Sequence, residues 1–207
     1  MYILLKLSRF IDRLNTLVGK SVTWLTLLVV LVSAINAIVR KSFSVSSNAW
    51  LELQWYLFGA IFLLAAGYTF LVNEHVRVDV LAERFPVKVQ LWIEMLGVLL
   101  FLLPASLLIF WLSLPYFWQS YELQELSSNT GGLIRWPVKL LIPLGFFLLS
   151  LAGVSHLIKC AAFLLGKGPN PMQGRSRQEV EEKMAEEIAQ FAQVNAHQTV
   201  STEQKGS

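Results

Sequence analysis

Asn73-Glu74-His75-Val76-Arg77-Val78-Asp79-Val80-Leu81 is the densest run of ionisable side chains in the first two-thirds of the chain, and long hydrophobic runs flank it on both sides. Charge in such a position must lie at a membrane surface or inside a membrane protein, because an unpaired ion is costly in hydrocarbon. Composition supports the membrane setting. Of 207 residues, 55% are hydrophobic and 15% charged, whereas a soluble domain carries about 25% charged residues. The net charge of +3 is modest and gives no support to nucleic-acid binding. The lone cysteine, Cys160, cannot form an internal disulfide and reads as a small buried hydrophobe.

Upstream of the polar stretch, two apolar runs are long enough to cross a bilayer. Residues 21–39 cover about 28 Å as a helix, close to one hydrocarbon core. A retained span is expected rather than a signal peptide, from the length of this run, its long amphipathic lead and Arg40-Lys41 directly behind it. Trp50, Trp55 and Tyr56 mark the membrane entrance of the second span, residues 50–72, with Glu52 in its first turn and Asn48 placed to cap it. Residues 1–20 precede both. Ile3, Leu4, Leu7, Phe10, Ile11, Leu14, Leu17 and Val18 recur at helical spacing opposite Lys6, Arg9, Arg13 and Thr16, which predicts an amphipathic helix lying in the interface.

Downstream, a third span is expected over residues 88–116, kinked by Pro104 and bent or ended by Pro115. Glu94, in its first turns, either snorkels to the headgroups or is buried against a partner. Residues 117–136 form the longest connection between spans. Glu122, Glu125, Asn129, Gly131, Gly132, Arg135 and Trp136 are its candidate contact residues, with a tight turn at Asn129-Thr130-Gly131-Gly132. A fourth span occupies 137–165, with Lys139 and Lys159 near its ends and able to snorkel. Residues 166–207 read as a linker, a short amphipathic helix with Val180, Met184, Ile188 and Phe191 on one stripe, and a polar tail. The fold class is therefore an all-α integral membrane protein: four spans, an N-terminal amphipathic interfacial helix and a C-terminal tail.

Lys6, Arg9, Arg13 and Lys20, then Arg77, Arg84 and Lys88, then Lys159, Lys167, Arg175 and Arg177 fall on one side of four alternating spans. Arg40, Lys41, Arg135 and Lys139 fall on the other. The positive-inside rule places both termini and the His75 stretch in the cytoplasm, and the 117–136 connection outside.

Little chemistry is visible. Asn36 and His156 are the notable polar residues deep in the spans, and His156 as a haem or metal ligand would need partners that the sequence does not indicate. There is no phosphate loop, no closed zinc-ligand set and no nucleophile–base pair, so neither an enzyme nor a cofactor is expected. Nor is there the inverted repeat of broken helices that marks a complete secondary transporter. Four apolar helices with charge confined to their ends suit a membrane scaffold.

The four-span pattern, the Trp50–Glu52–Trp55 entrance and the His75-Val76-Arg77-Val78-Asp79-Val80-Leu81 signature resemble the small permease subunit of tripartite ATP-independent periplasmic transporters, the DctQ-like family. Residues 127–139, Ser-Ser-Asn-Thr-Gly-Gly-Leu-Ile-Arg-Trp-Pro-Val-Lys, resemble the branch labelled for mannitol, chloroaromatic or α-keto acid uptake. The resemblance implies a multi-pass protein of the bacterial inner membrane that serves organic-acid uptake driven by an ion gradient. Its implied partners are a large permease subunit, which carries the substrate and ion sites, and a periplasmic substrate-binding protein. His75, Arg77 and Asp79 are then a cytoplasmic structural clasp. Two other readings are a haem-anchoring redox subunit, motivated by His156, and a self-associating channel, motivated by the small residues of the second span.

Overall fold

In lipid, every backbone polar group must be satisfied within its own segment, which leaves the helix as the form these apolar runs can take. The computed structural model describes residues 2–43, 47–72, 86–166 and 168. The signature residues His75, Arg77 and Asp79 and the tail beyond residue 168 lie outside the described residues. Helix α1 spans Tyr2–Phe43 and α2 spans Asn48–Leu71. The third span is α3, Val87–Gly97, a π-helical turn over Val98–Leu102, and α4, Leu103–Glu122. The fourth is α5, Trp136–Leu164. All four spans are long and apolar enough to cross a membrane.

Residues 2–20 are the opening turns of α1, continuous with the first span. Their apolar stripe does not face the bundle. Ile3, Leu7, Phe10 and Leu17 are exposed, while Ser8, Ile11, Asn15, Gly19 and Val22 are buried. A Cβ on Gly19 would collide with the Tyr68 ring, and one on Gly67 with Asn15, so both glycines mark close approach of α1 and α2.

The third span passes its prolines without ending. Pro104 has no N–H and its ring crowds the Leu100 carbonyl four residues back; the π turn that contains Leu100 absorbs this mismatch. Pro115 lies inside α4, which continues to Glu122 rather than stopping near residue 116. Glu122 is therefore helical, and the connection shrinks to residues 123–135.

Helix α5 is central. Over its apolar stretch 44% of residues are buried, against 11% in each other span, and it packs on α1, α2 and α4. The interior is made of small residues: Gly145, Ser150, Ala152, Gly153 and Ser155 are buried, while Trp24, Phe62, Phe101 and Trp111 are exposed. A Cβ on Gly145 would lie 2.7 Å from the Leu63 carbonyl oxygen, which measures how closely α5 and α2 approach. Phe70, Val98 and Ala152 form the apolar centre, bordered by Leu102, Leu149 and Leu157. Ser106, Ser113 and Ser120 repeat every seven residues on the buried face of α4, and Ser150 Oγ donates to Ser106 Oγ at 2.9 Å.

Candidate functional site

Polar side chains gather at the two ends of the bundle. At the first end the start of α2, the end of α4 and the start of α5 meet the 123–135 connection. That segment folds back on itself. Leu126 and Ile134 form an antiparallel bridge, Ser127 N donates to Leu133 O at 3.0 Å, and Arg135 N donates to Glu125 O at 2.8 Å. The expected turn at Asn129–Gly132 is present. Gly132 N donates to Asn129 O at 3.0 Å, and Gly131 has φ +72, the sign a type II turn requires at its third position.

Glu52 organises this fold-back. Although it belongs to α2, its carboxylate is 7% exposed and accepts from three donors of the connection: Ser127 Oγ, Asn129 Nδ2 at 2.8 Å and Leu133 N at 2.7 Å. Gly132 lies against the same carboxylate, where a Cβ would stand 2.8 Å from both oxygens. Asn48 does not cap α2. Its Nδ2 donates to Thr130 O at 3.0 Å, while Ser47 holds the cap position without a side-chain bond.

Next to Glu52, Lys139 Nζ donates to Glu125, and Arg135 approaches the same carboxylate at 3.6 Å. Lys139 also lies 4.0 Å above the Tyr116 ring, so it is engaged rather than snorkelling free. Arg135 Nη2 donates to Ser128 Oγ at 3.2 Å. The Lys139 ammonium holds the Glu125 carboxyl below its ordinary value. Trp136 meets Tyr121 edge to face at 5.4 Å, and Glu122 accepts from Trp118 Nε1 at 2.6 Å. A cleft of about 410 Å³ opens here between Trp55, Tyr56, Tyr116, Asn129, Arg135 and Lys139.

The structure thus brings Glu52, Glu125, Asn129, Gly132 and Arg135 together. It leaves Trp50 and Trp55 on the exposed face of α2 and Glu122 on α4. Sequence reasoning missed Ser127 and the Leu133 amide as partners of Glu52, and Lys139 as the partner of Glu125. Glu52 accepts from three donors, and Glu125 faces two cations. The arrangement holds a loop in shape.

At the second end the opening turns of α1, and α3, meet the last turns of α5. Lys159 Nζ pairs with Asp12 Oδ2 at 2.6 Å, and Ser155 Oγ donates to Asp12 Oδ1 at 2.6 Å. Ser8 and Ser155 hydroxyls lie 2.7 Å apart. Glu94 is held against α5, with Oε2 3.2 Å from His156 Nε2, which decides between its two expected positions. Cys160 Sγ lies 3.4 Å from the same nitrogen. His156 is thus a packed, hydrogen-bonded side chain, with partners from another span and from one turn further along its own helix. The signals were present as His156 and Cys160 four residues apart, and as Ser8, Ile11, Asn15 and Gly19 at helical spacing.

Residues 29–163 match the family model for tripartite ATP-independent periplasmic transporters, DctQ component. The match starts within α1 and ends one residue before the end of α5. No curated protein and no solved structure matches the chain.

Proposed function

Because the chain belongs to the DctQ-component family of tripartite ATP-independent periplasmic transporters, we propose that it is the small membrane subunit that scaffolds the large permease subunit during organic-acid uptake. The family is a transporter component, not an enzyme. One observation carries the scaffolding role. The large apolar and aromatic side chains point outward along the spans, while the described charged groups that are buried or half-buried are each tied to a local partner. An ion or substrate path requires polar groups left available along a bundle interior. Among the described residues the buried charged groups are paired, and the outer surface is suited to lipid and to another membrane protein.

The 123–135 connection supports a second element of the reading, docking of the periplasmic substrate-binding protein. Its fold-back is held by Glu52, and it carries Arg135 and borders the cleft, with Trp136 opening α5 beside it. With that connection outside, the reading puts both termini in the cytoplasm, in keeping with the charge asymmetry of the sequence. It also places the His75–Leu81 signature there as a clasp between the second and third spans, and the opening turns of α1 at the cytoplasmic interface.

The experiment is reconstitution. The chain co-expressed with a large permease subunit is expected to purify as a stable complex. Liposomes holding that complex, with the binding protein added, are expected to accumulate an organic acid under an ion gradient, whereas liposomes holding this chain alone are not. Gradient-driven uptake by the chain alone would remove the scaffold assignment.

A further inference from the structure

Glu94, His156 and Cys160 each direct one donor atom to a common point between α3 and α5. His156 Nε2 lies 3.2 Å from Glu94 Oε2 and 3.4 Å from Cys160 Sγ, and all three atoms fall within 4.8 Å of one another. Zinc bound at about 2.0–2.1 Å to nitrogen, 2.0–2.2 Å to oxygen and 2.3 Å to sulfur puts tetrahedral ligand atoms roughly 3.3–3.7 Å apart. The two separations at His156 Nε2 are close to that range, and the third pair, Glu94 to Cys160, lies within 4.8 Å, so a side-chain adjustment brings all three onto one ion.

Hydrogen-bond capacity points the same way. A neutral imidazole nitrogen carries either one hydrogen or one lone pair. Nε2 cannot both donate to the Glu94 carboxylate and accept from the Cys160 thiol, yet it lies within contact distance of both. A cation between the three atoms would accept a lone pair from each.

The surroundings suit retention of an ion. Cys160 is fully buried and His156 nearly so, both on the most enclosed helix of the bundle. The Phe70 ring meets the imidazole edge on at 5.5 Å, and Phe70 belongs to the apolar centre with Val98. Glu94, with 17% of its side chain exposed, is the point of entry. The combination of thiolate, imidazole and carboxylate selects a borderline-soft cation over magnesium or calcium, which prefer all-oxygen sites.

We propose that Glu94, His156 and Cys160 bind one zinc-class divalent cation that ties α3 to α5, with a fourth position left to water. Binding releases the Cys160 thiol proton to solvent and forms a metal–thiolate bond, with no change in oxidation state. The ion fixes the register of α3 against α5 directly before the π turn at Val98–Leu102.

The test uses the full chain, free of any histidine tag, in detergent and stripped with a chelator. Zinc alone is expected to bind at one ion per chain. Cobalt(II) alone is expected to give a thiolate-to-metal charge-transfer absorption, which only Cys160 can supply, as the chain has no other cysteine. Cys160→Ser is expected to abolish the absorption. Glu94→Gln and His156→Gln are expected to weaken zinc binding at least about 100-fold, beyond the effect of removing an outer-shell partner. If these variants fail to fold, the wild-type chain decides: zinc is expected to slow alkylation of Cys160 by a small reagent. Absence of both the cobalt absorption and the zinc protection in a fully helical wild-type sample overturns the proposal and leaves the cluster as a hydrogen-bonded staple. Stoichiometric zinc that survives all three substitutions but is lost with His75→Ala or His197→Ala overturns it as well.

Discussion

Leu133 donates its backbone N–H to Glu52 Oε2 at 2.7 Å across 81 residues of sequence. The carboxylate on the second span thereby sets the shape of the loop between the third and fourth. Charge-assisted bonds of this kind are shorter and stronger than neutral ones, and two further donors on the same loop converge on the same group. The loop is an extension of α2 as much as a link between α4 and α5.

Glu52→Gln therefore loosens the loop while leaving the helix intact. A neutral amide keeps the size of the side chain but weakens all three bonds, and its NH2 opposes one of the donors. Hydrogen exchange at the Leu133 amide is expected to rise about tenfold or more, with exchange in the middle of α2 unchanged. In the assembled transporter, uptake is expected to fall through a higher requirement for binding protein. Unchanged exchange at Leu133 contradicts the role given to Glu52.

Two adjacent glycines in the same turn are needed for different reasons. Gly131 has φ +72 and open space around it, so the constraint is its backbone. Gly131→Asn is expected to be tolerated and Gly131→Val to cost about 1–2 kcal/mol, because asparagine enters the left-handed region far more readily than a β-branched residue. Gly132 has no such φ, but a Cβ there would stand 2.8 Å from both Glu52 oxygens. Gly132→Ala is expected to mimic Glu52→Gln in the exchange measurement. Equal behaviour of Asn and Val at position 131 contradicts the backbone argument.

The spans were legible in the sequence because their signal is local. Residues 50–72 and 137–165 are expected as spans, and the helices are Asn48–Leu71 and Trp136–Leu164. Helix ends are less legible: Pro115 is carried inside α4, which runs on to Glu122. The candidate site was half legible. Glu52, Glu125, Asn129, Gly132 and Arg135 stand out as polar residues beside apolar runs, but their pairing depends on how distant helices align. Hydrophobic periodicity finds the lipid-facing side of a membrane helix. The buried side is written in Ser, Gly and Ala, as at Ser8, Gly145 and Ser155, and carries no comparable signal.

Glu125 makes the loop end acid-sensitive. Its folded-state value lies below the ordinary 4.5, chiefly through Lys139. A carboxyl depressed by folding stabilises the fold above its unfolded value, and that contribution disappears as pH falls through the folded one. Wild-type protein is expected to unfold at a higher temperature than Glu125→Gln at neutral pH, with the gap closing as acidification passes below 4.5. The carboxyl is 31% exposed, so the gap is small and narrows further in salt. A gap that stays constant on acidification contradicts the pairing with Lys139.

The Asp12–Lys159 pair responds asymmetrically to its two deletions. Lys159 has a long stem and is 31% exposed, so it can extend to the headgroups when Asp12 is lost. Asp12 is short and 15% exposed, and without Lys159 it keeps only the Ser155 hydroxyl. Lys159→Met is therefore expected to destabilise the bundle by about 1–2 kcal/mol in mixed-micelle unfolding, and Asp12→Asn by less than about 1 kcal/mol. The double variant is expected to lie near Asp12→Asn, since removing the acid removes the reason the lysine is needed. Equal and additive losses would show that the two residues act independently, and that α1 is held to α5 by packing around Ser8 and Ser155 instead.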